Sequence, residues 1–151
     1  MKVSPGFLKW AMNIYGPYLG AGVRVKHISA DWRKTHVAMP LKWYNKNIMK
    51  VHFGGSLYSM VDPHLMLMLM QILGKGYNVW DKSAHIDFIK PGRGTVHADL
   101  EISDADLDEI VAQTESGEKY FHKFEVFIRD EQGQVVAKVD KVLYFRKKPE
   151  A

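Results

Sequence analysis

Residues 51–74 read VHFGGSLYSMVDPHLMLMLMQILG, the most apolar part of the chain. Gly54 and Gly55 open the run, and its apolar residues occupy nearly every side rather than one stripe. A helix that is hydrophobic all round is a buried helix, so this spacing predicts a long central helix that other elements must wrap. In its middle stand Asp62, Pro63 and His64. A buried carboxylate is costly unless it is paired, hydrogen-bonded or put to use. Asp before Pro also marks turns and helix caps. The stretch can therefore be read as two segments, with Asp62 or a neighbour capping the second and Pro63 in its first turn.

The flanking sequence supplies the wrapper. TVHADLEIS sets Val96, Ala98, Leu100 and Ile102 against Thr95, His97, Asp99 and Glu101, the period of a half-buried strand. SAHIDFIKP alternates in the same way, with Ala84, Ile86 and Phe88 opposite His85 and Asp87. Residues 120–129 and 134–146 are two more strands, joined by the hairpin signal RDEQGQ. DADLDEIVAQ is a short helix capped by Ser103 or Asp104. Towards the N-terminus, Ser4 caps a helix with Pro5 in its first turn, ended or bent at Gly16 and Pro17. Strands over 22–30 and 32–40 follow, then a loop through KWYNKN. Helices and strands are segregated, which is α+β with a mostly antiparallel sheet. The favoured arrangement is a sheet curled round one apolar helix; a sheet with helices packed outside is the alternative.

Composition sets limits. The 151 residues fit one domain, 1–151, with 46% hydrophobic and 25% charged residues. No cysteine is present, which removes disulfide and thiolate chemistry. The start MKVSPGFLKW has no signal-peptide pattern, and residues 65–73 are too few for a span of roughly 20 residues. A cytoplasmic protein without a membrane partner is expected. The net charge of +4 is spread out apart from the C-terminal RKKPE. It fits a solvated surface or an anionic ligand. No recognition-helix or zinc-ligand pattern marks a nucleic-acid partner.

Asn47, then HFGG at residues 52–55, then Asp62 resemble the hotdog-fold acyl-CoA thioesterases, in particular the phenylacetyl-CoA thioesterase-like branch. The strand ending FIKPGRG resembles the strand and turn that follow in that family. The resemblance covers about residues 22–145 and makes the N-terminal helix an addition to the core. One departure is clear: Phe53 stands where the family has His, and His52 lies one residue earlier. The resemblance implies that the Gly54 N–H polarises the thioester carbonyl, that Asp62 supplies the carboxylate as base or nucleophile, and that Asn47 hydrogen-bonds near the thioester or the attacking water. Substrate contacts would come from His52, Phe53, Gly55 and Tyr58. Lys90 and Arg93, at the PGRG turn, are surface charges or contacts for coenzyme A phosphates. Asn47 has a plainer reading as a loop turn residue, and His52 as a capping or packing residue.

Thioester hydrolysis needs a donor for charge developing on the carbonyl oxygen and a base or nucleophile. A helix N-terminus offers free N–H groups, and glycine lets a carbonyl approach them. Eight helical residues rise roughly 12 Å, so Gly54 and Asp62 of one chain do not reach one thioester. Two copies about a two-fold axis would bring them together, similar to the family's shared site, as a dimer or a dimer of dimers. No cofactor is expected beyond coenzyme A as part of the substrate. No metal is expected either, since His52, Asp62 and His64 lack ligand spacing. The alternatives are a non-catalytic acyl-CoA-binding or oligomeric hotdog protein, and an acyl-thioester hydratase or dehydratase using a His with an Asp or Glu.

Overall fold

A computed structural model of the chain describes residues 2–149; Glu150 of the C-terminal charge run lies outside them. Two helices come first, α1 (Pro5–Ile14) and α2 (Gly16–Ala21). The Ser4 side chain accepts from the Phe7 N–H, and Pro5 sits in the first turn where no N–H is needed. The expected bend at Gly16 and Pro17 is the junction between these two helices. Strands β1 (Arg24–Ile28) and β2 (Lys34–Met39) follow.

The long central helix is a correction. The apolar run forms two helices, α3 (Gly54–Ser59) and α4 (His64–Leu73), separated by turns over residues 60–63. Pro63 has no N–H to continue a helical ladder and crowds the residue before it. Its own carbonyl then accepts from the Leu67 N–H and starts α4. No side chain caps α4, so Asp62 is not its cap. Leu65, Met68 and Leu69 of α4 are fully buried; each such side chain stabilises the fold by about 1.5–3 kcal/mol.

A single 3₁₀ turn at Gly74–Gly76 leads into β3 (Tyr77–Phe88), then β4 (Val96–Glu101), α5 (Asp104–Thr114), β5 (Tyr120–Arg129) and β6 (Val135–Lys147). Ser103 caps α5 through a capping box with Asp106. The strands form one antiparallel curved sheet in the order β1-β2-β4-β5-β6-β3. β4, β5 and β6 bury alternate residues, and their inward side chains meet α4 and Met60 in one core.

β3 differs from its expected form in two ways. It begins at Tyr77, six residues before SAHIDFIKP, and it is not half-buried. It pairs with β6 alone, and most of its 12 residues are exposed within one chain, Trp80 and Phe88 by 64% and 58%. No helix among the described residues is long and apolar enough to cross a membrane.

Candidate functional site

The loop over residues 40–53 delivers the chain to α3, and Asn45 and Asn47 shape it. Buried Asn45 donates to the Ala21 and Pro40 carbonyls and accepts from the Lys42 N–H. The Asn47 side-chain Oδ1 accepts from the Met49 and Val51 N–H groups at 3.0 and 3.3 Å. Asn47 is thus the turn residue of its plainer reading, held at a fixed place.

That place is the wall of an open cavity of about 550 Å³. The structure brings five of the expected site residues to it: Asn47, His52, Gly54, Lys90 and Arg93. Apolar side chains, among them Met49, Leu57, Phe88 and Ile89, supply the rest. Gly54 is the first residue of α3, and its N–H has no partner among the described residues. The Phe88 ring lies so close over it that a Cβ there would come within 2.8 Å of the ring. Gly55 is pressed in the same way by the Phe53 ring.

His52 is almost fully buried beside Gly54. Its Nε2 lies 2.7 Å from the Gly94 carbonyl oxygen. A carbonyl only accepts, so the proton is on Nε2 and Nδ1 carries a lone pair. Nδ1 is buried without a partner among the described residues. Burial pushes the pKa of this ring down, against the Gly94 bond, and keeps it neutral. Lys90 reaches away from the cavity, to Asp130 at 2.6 Å and to Gln134 at the β5–β6 turn. Arg93 is exposed and makes no ion pair among the described residues.

Asp62, Tyr58, Phe53 and Gly55 are not on this wall. Phe53 and Gly55 line a shallow depression with Tyr44 and Lys46. Asp62 and Tyr58 belong to a third place, organised by a residue that the sequence reading missed, Lys141. Its ammonium donates to Asp62 Oδ1 at 2.8 Å and to the Tyr58 hydroxyl at 3.0 Å, and lies 3.2 Å from Asp81 Oδ1. The Tyr58 hydroxyl donates in turn to Asp62 Oδ1 at 2.7 Å. Burial pushes the Asp62 carboxyl up, but the bonds from Lys141 and Tyr58 outweigh it and hold it below the usual range. Burial likewise pushes Lys141 down, and its carboxylate and hydroxyl partners hold it above the usual value. Asp81 goes the other way: burial raises its carboxyl despite Lys141. A signal for Lys141 was present, since it falls on the inward phase of Val139, Leu143 and Phe145.

His64 is buried under α2. The Tyr18 hydroxyl donates to the Ser59 carbonyl at 2.9 Å and accepts from His64 Nε2 at 2.7 Å. His52, Asp62 and His64 are therefore engaged separately. Among the described residues, no group of three or more His, Cys, Asp or Glu side chains could hold a metal ion.

The family model described as "Domain of unknown function (DUF4442)" matches residues 5–145. The match begins at the first residue of α1, so that helix lies inside the matched region. No curated protein matches the chain. Solved structures do. A Pseudomonas aeruginosa protein, described as of unknown function and a probable thioesterase, superposes with a TM-score of 0.84 at 15% identity, over 97% of this chain and 98% of that one. A Chlorobaculum tepidum protein of unknown function gives 0.74 at 17%, over 96% and 98%. A Haemophilus influenzae thioesterase gives 0.69 at 13%, over 99% and 95%. At these identities the likeness is one of fold.

Proposed function

The chain belongs to the DUF4442 family, and on that premise we propose that it is an acyl-CoA thioesterase whose site is shared between two copies. The observation that carries this reading is the cavity at the start of α3. An N–H without a partner on Gly54, the buried neutral His52 and the exposed Arg93 share one wall with apolar side chains. An acyl thioester of coenzyme A has a matching set of parts: an apolar chain, a carbonyl that gains negative charge during attack, and phosphates. The Gly54 N–H stabilises that charge, and Arg93 meets a phosphate. Two of the three structures compared above carry the name thioesterase, which supports the reaction class.

The cavity lacks a carboxylate at Gly54. Asp62 of a second copy supplies it, as base or nucleophile. Support for the pairing comes from β3, a 12-residue edge strand with one neighbour, whose Asp81 belongs to the Asp62 cluster. An edge of that length and exposure invites a second strand. Lys141 and Tyr58 both bind Oδ1, which leaves Oδ2 for the reaction and keeps the carboxyl ionised at neutral pH.

The test is release of free thiol from short, medium, long and aryl acyl-CoAs by wild type and Asp62→Asn. The proposal expects turnover that collapses in Asp62→Asn with fold and oligomer intact. A second reading rests on the Asp62–Lys141 pair itself: if Asp62 serves only to neutralise Lys141, the protein binds acyl-CoA without cleaving it. Binding without wild-type turnover would establish that reading instead.

A further inference from the structure

The positive charge is unevenly divided along the chain. Residues 1–53 hold nine Lys and Arg against one acid, Asp31, whereas residues 54–151 hold twelve against sixteen. Of the nine, Arg33 and Lys34 pair with acids of the later part, Asp104 and Glu101. Lys9, Lys42, Lys46 and Lys50 are exposed and make no ion pair among the described residues.

The same third of the chain exposes large apolar side chains. On α1, Phe7, Trp10 and Ile14 recur at i, i+3 and i+7, which makes one stripe. They are exposed by 53%, 59% and 53% while Met12 is buried. In the loop before α3, Trp43, Ile48 and Met49 are exposed by 81%, 95% and 73%. The loop is tied to α2 by the Asn45 side chain on the Ala21 carbonyl, 3.0 Å away. Met49 also forms part of the cavity wall.

We propose that the basic, apolar-tipped loop over residues 42–50 docks on the surface of an anionic lipid bilayer, with the cavity mouth beside the lipid. Trp and aliphatic side chains separated by lysines suit the headgroup boundary: the apolar tips enter and the ammonium groups stay with the phosphates. A two-fold contact between copies through this patch would set like charge on like charge. Trp43 and Tyr44 carry rings on which a nucleobase stacks, but the tip itself is aliphatic, Ile48 and Met49, which suits acyl chains. The loop tip, with Ile48 exposed by 95%, offers side chains to insert into a surface. Docking here is peripheral and requires no spanning helix. It revises the expectation of no membrane partner, and it does not depend on hydrolysis.

The test is co-sedimentation with vesicles of phosphatidylcholine alone and of phosphatidylcholine with about 30% phosphatidylserine. Wild type is compared with Trp43→Ser/Ile48→Ser and with Lys42→Glu/Lys46→Glu, all at exposed positions, with folding checked by circular dichroism. The expected result is binding to the anionic vesicles alone, weakened about tenfold or more by either double variant and by about 0.5 M salt. No binding to anionic vesicles would overturn the proposal, as would binding that neither variant changes. An oligomer that Trp43→Ser/Ile48→Ser dissociates in sedimentation velocity, with no vesicle binding, would assign the patch to subunit contact and overturn it too.

Discussion

Asp62 and Lys141 form an ion pair of 2.8 Å in which one partner is buried and the other is not: the side chains are 51% and 2% exposed, respectively. A lysine on the inward phase of β6 needs a counter-charge. The turn that breaks the apolar run at Pro63 provides it. The carboxylate in that run therefore has a structural reason, and the same contact holds it ionised, as the proposed reaction requires.

Lys141→Met removes the cation and leaves Asp62 and Asp81 facing each other near the sheet. The carboxylates left behind are partly exposed and screened by water, so the cost should stay below about 1 kcal/mol, to be read by denaturant unfolding. Without Lys141, burial acts on Asp62 against the weaker pull of the Tyr58 bond and His64, and its pKa rises. The acid limb of kcat/KM should then move to higher pH. A limb that stays in place would separate Lys141 from the reaction.

His64 gives the protein an acid-sensitive fold. Burial pushes its pKa down to about 4, with the Asp62 charge opposing. An unfolded His titrates near 6.5, so below that pH the unfolded state binds the extra proton. Stability from this group is whole above pH 6.5 and is lost as pH falls towards about 4, by about 3 kcal/mol in all. Unfolding free energies measured across that range should show this slope, and His64→Gln should flatten it.

Gly54→Ala tests why that residue is glycine. The new Cβ would press on the Phe88 ring, but that ring is exposed and can swing aside. Stability should fall by less than about 1 kcal/mol. Turnover should fall about tenfold or more, because the Cβ crowds the carbonyl beside the N–H. Adding Phe88→Ala should not restore it. Restoration would mean that Gly54 is small only to admit the ring.

Much of the fold was legible because its signals are local. Ser4 and Ser103 cap their helices as their positions indicate, and β4 and β5 keep strict alternation. The helix break was legible only as an alternative, since the apolar pattern runs straight through Asp62 and Pro63. β3 misled for a different reason. Alternation signals a strand with one covered face, and the single chain covers neither. The candidate site was legible where chain neighbours build it, at Asn47, His52 and Gly54. Lys141 is 79 residues from Asp62, and only the β6 register aligns them. A lysine among apolar inward positions was the available clue.

The central claim is that Gly54 and Asp62 act together across two copies. Gly54→Val and Asp62→Asn, each inactive alone, should be co-refolded in equal amounts and assayed for thiol release. Random pairing makes half of the dimers mixed, and each mixed dimer holds one intact site of two. The account predicts recovery of about a quarter of wild-type activity. A mixture as inactive as its parents, with mixed dimers present, would contradict it.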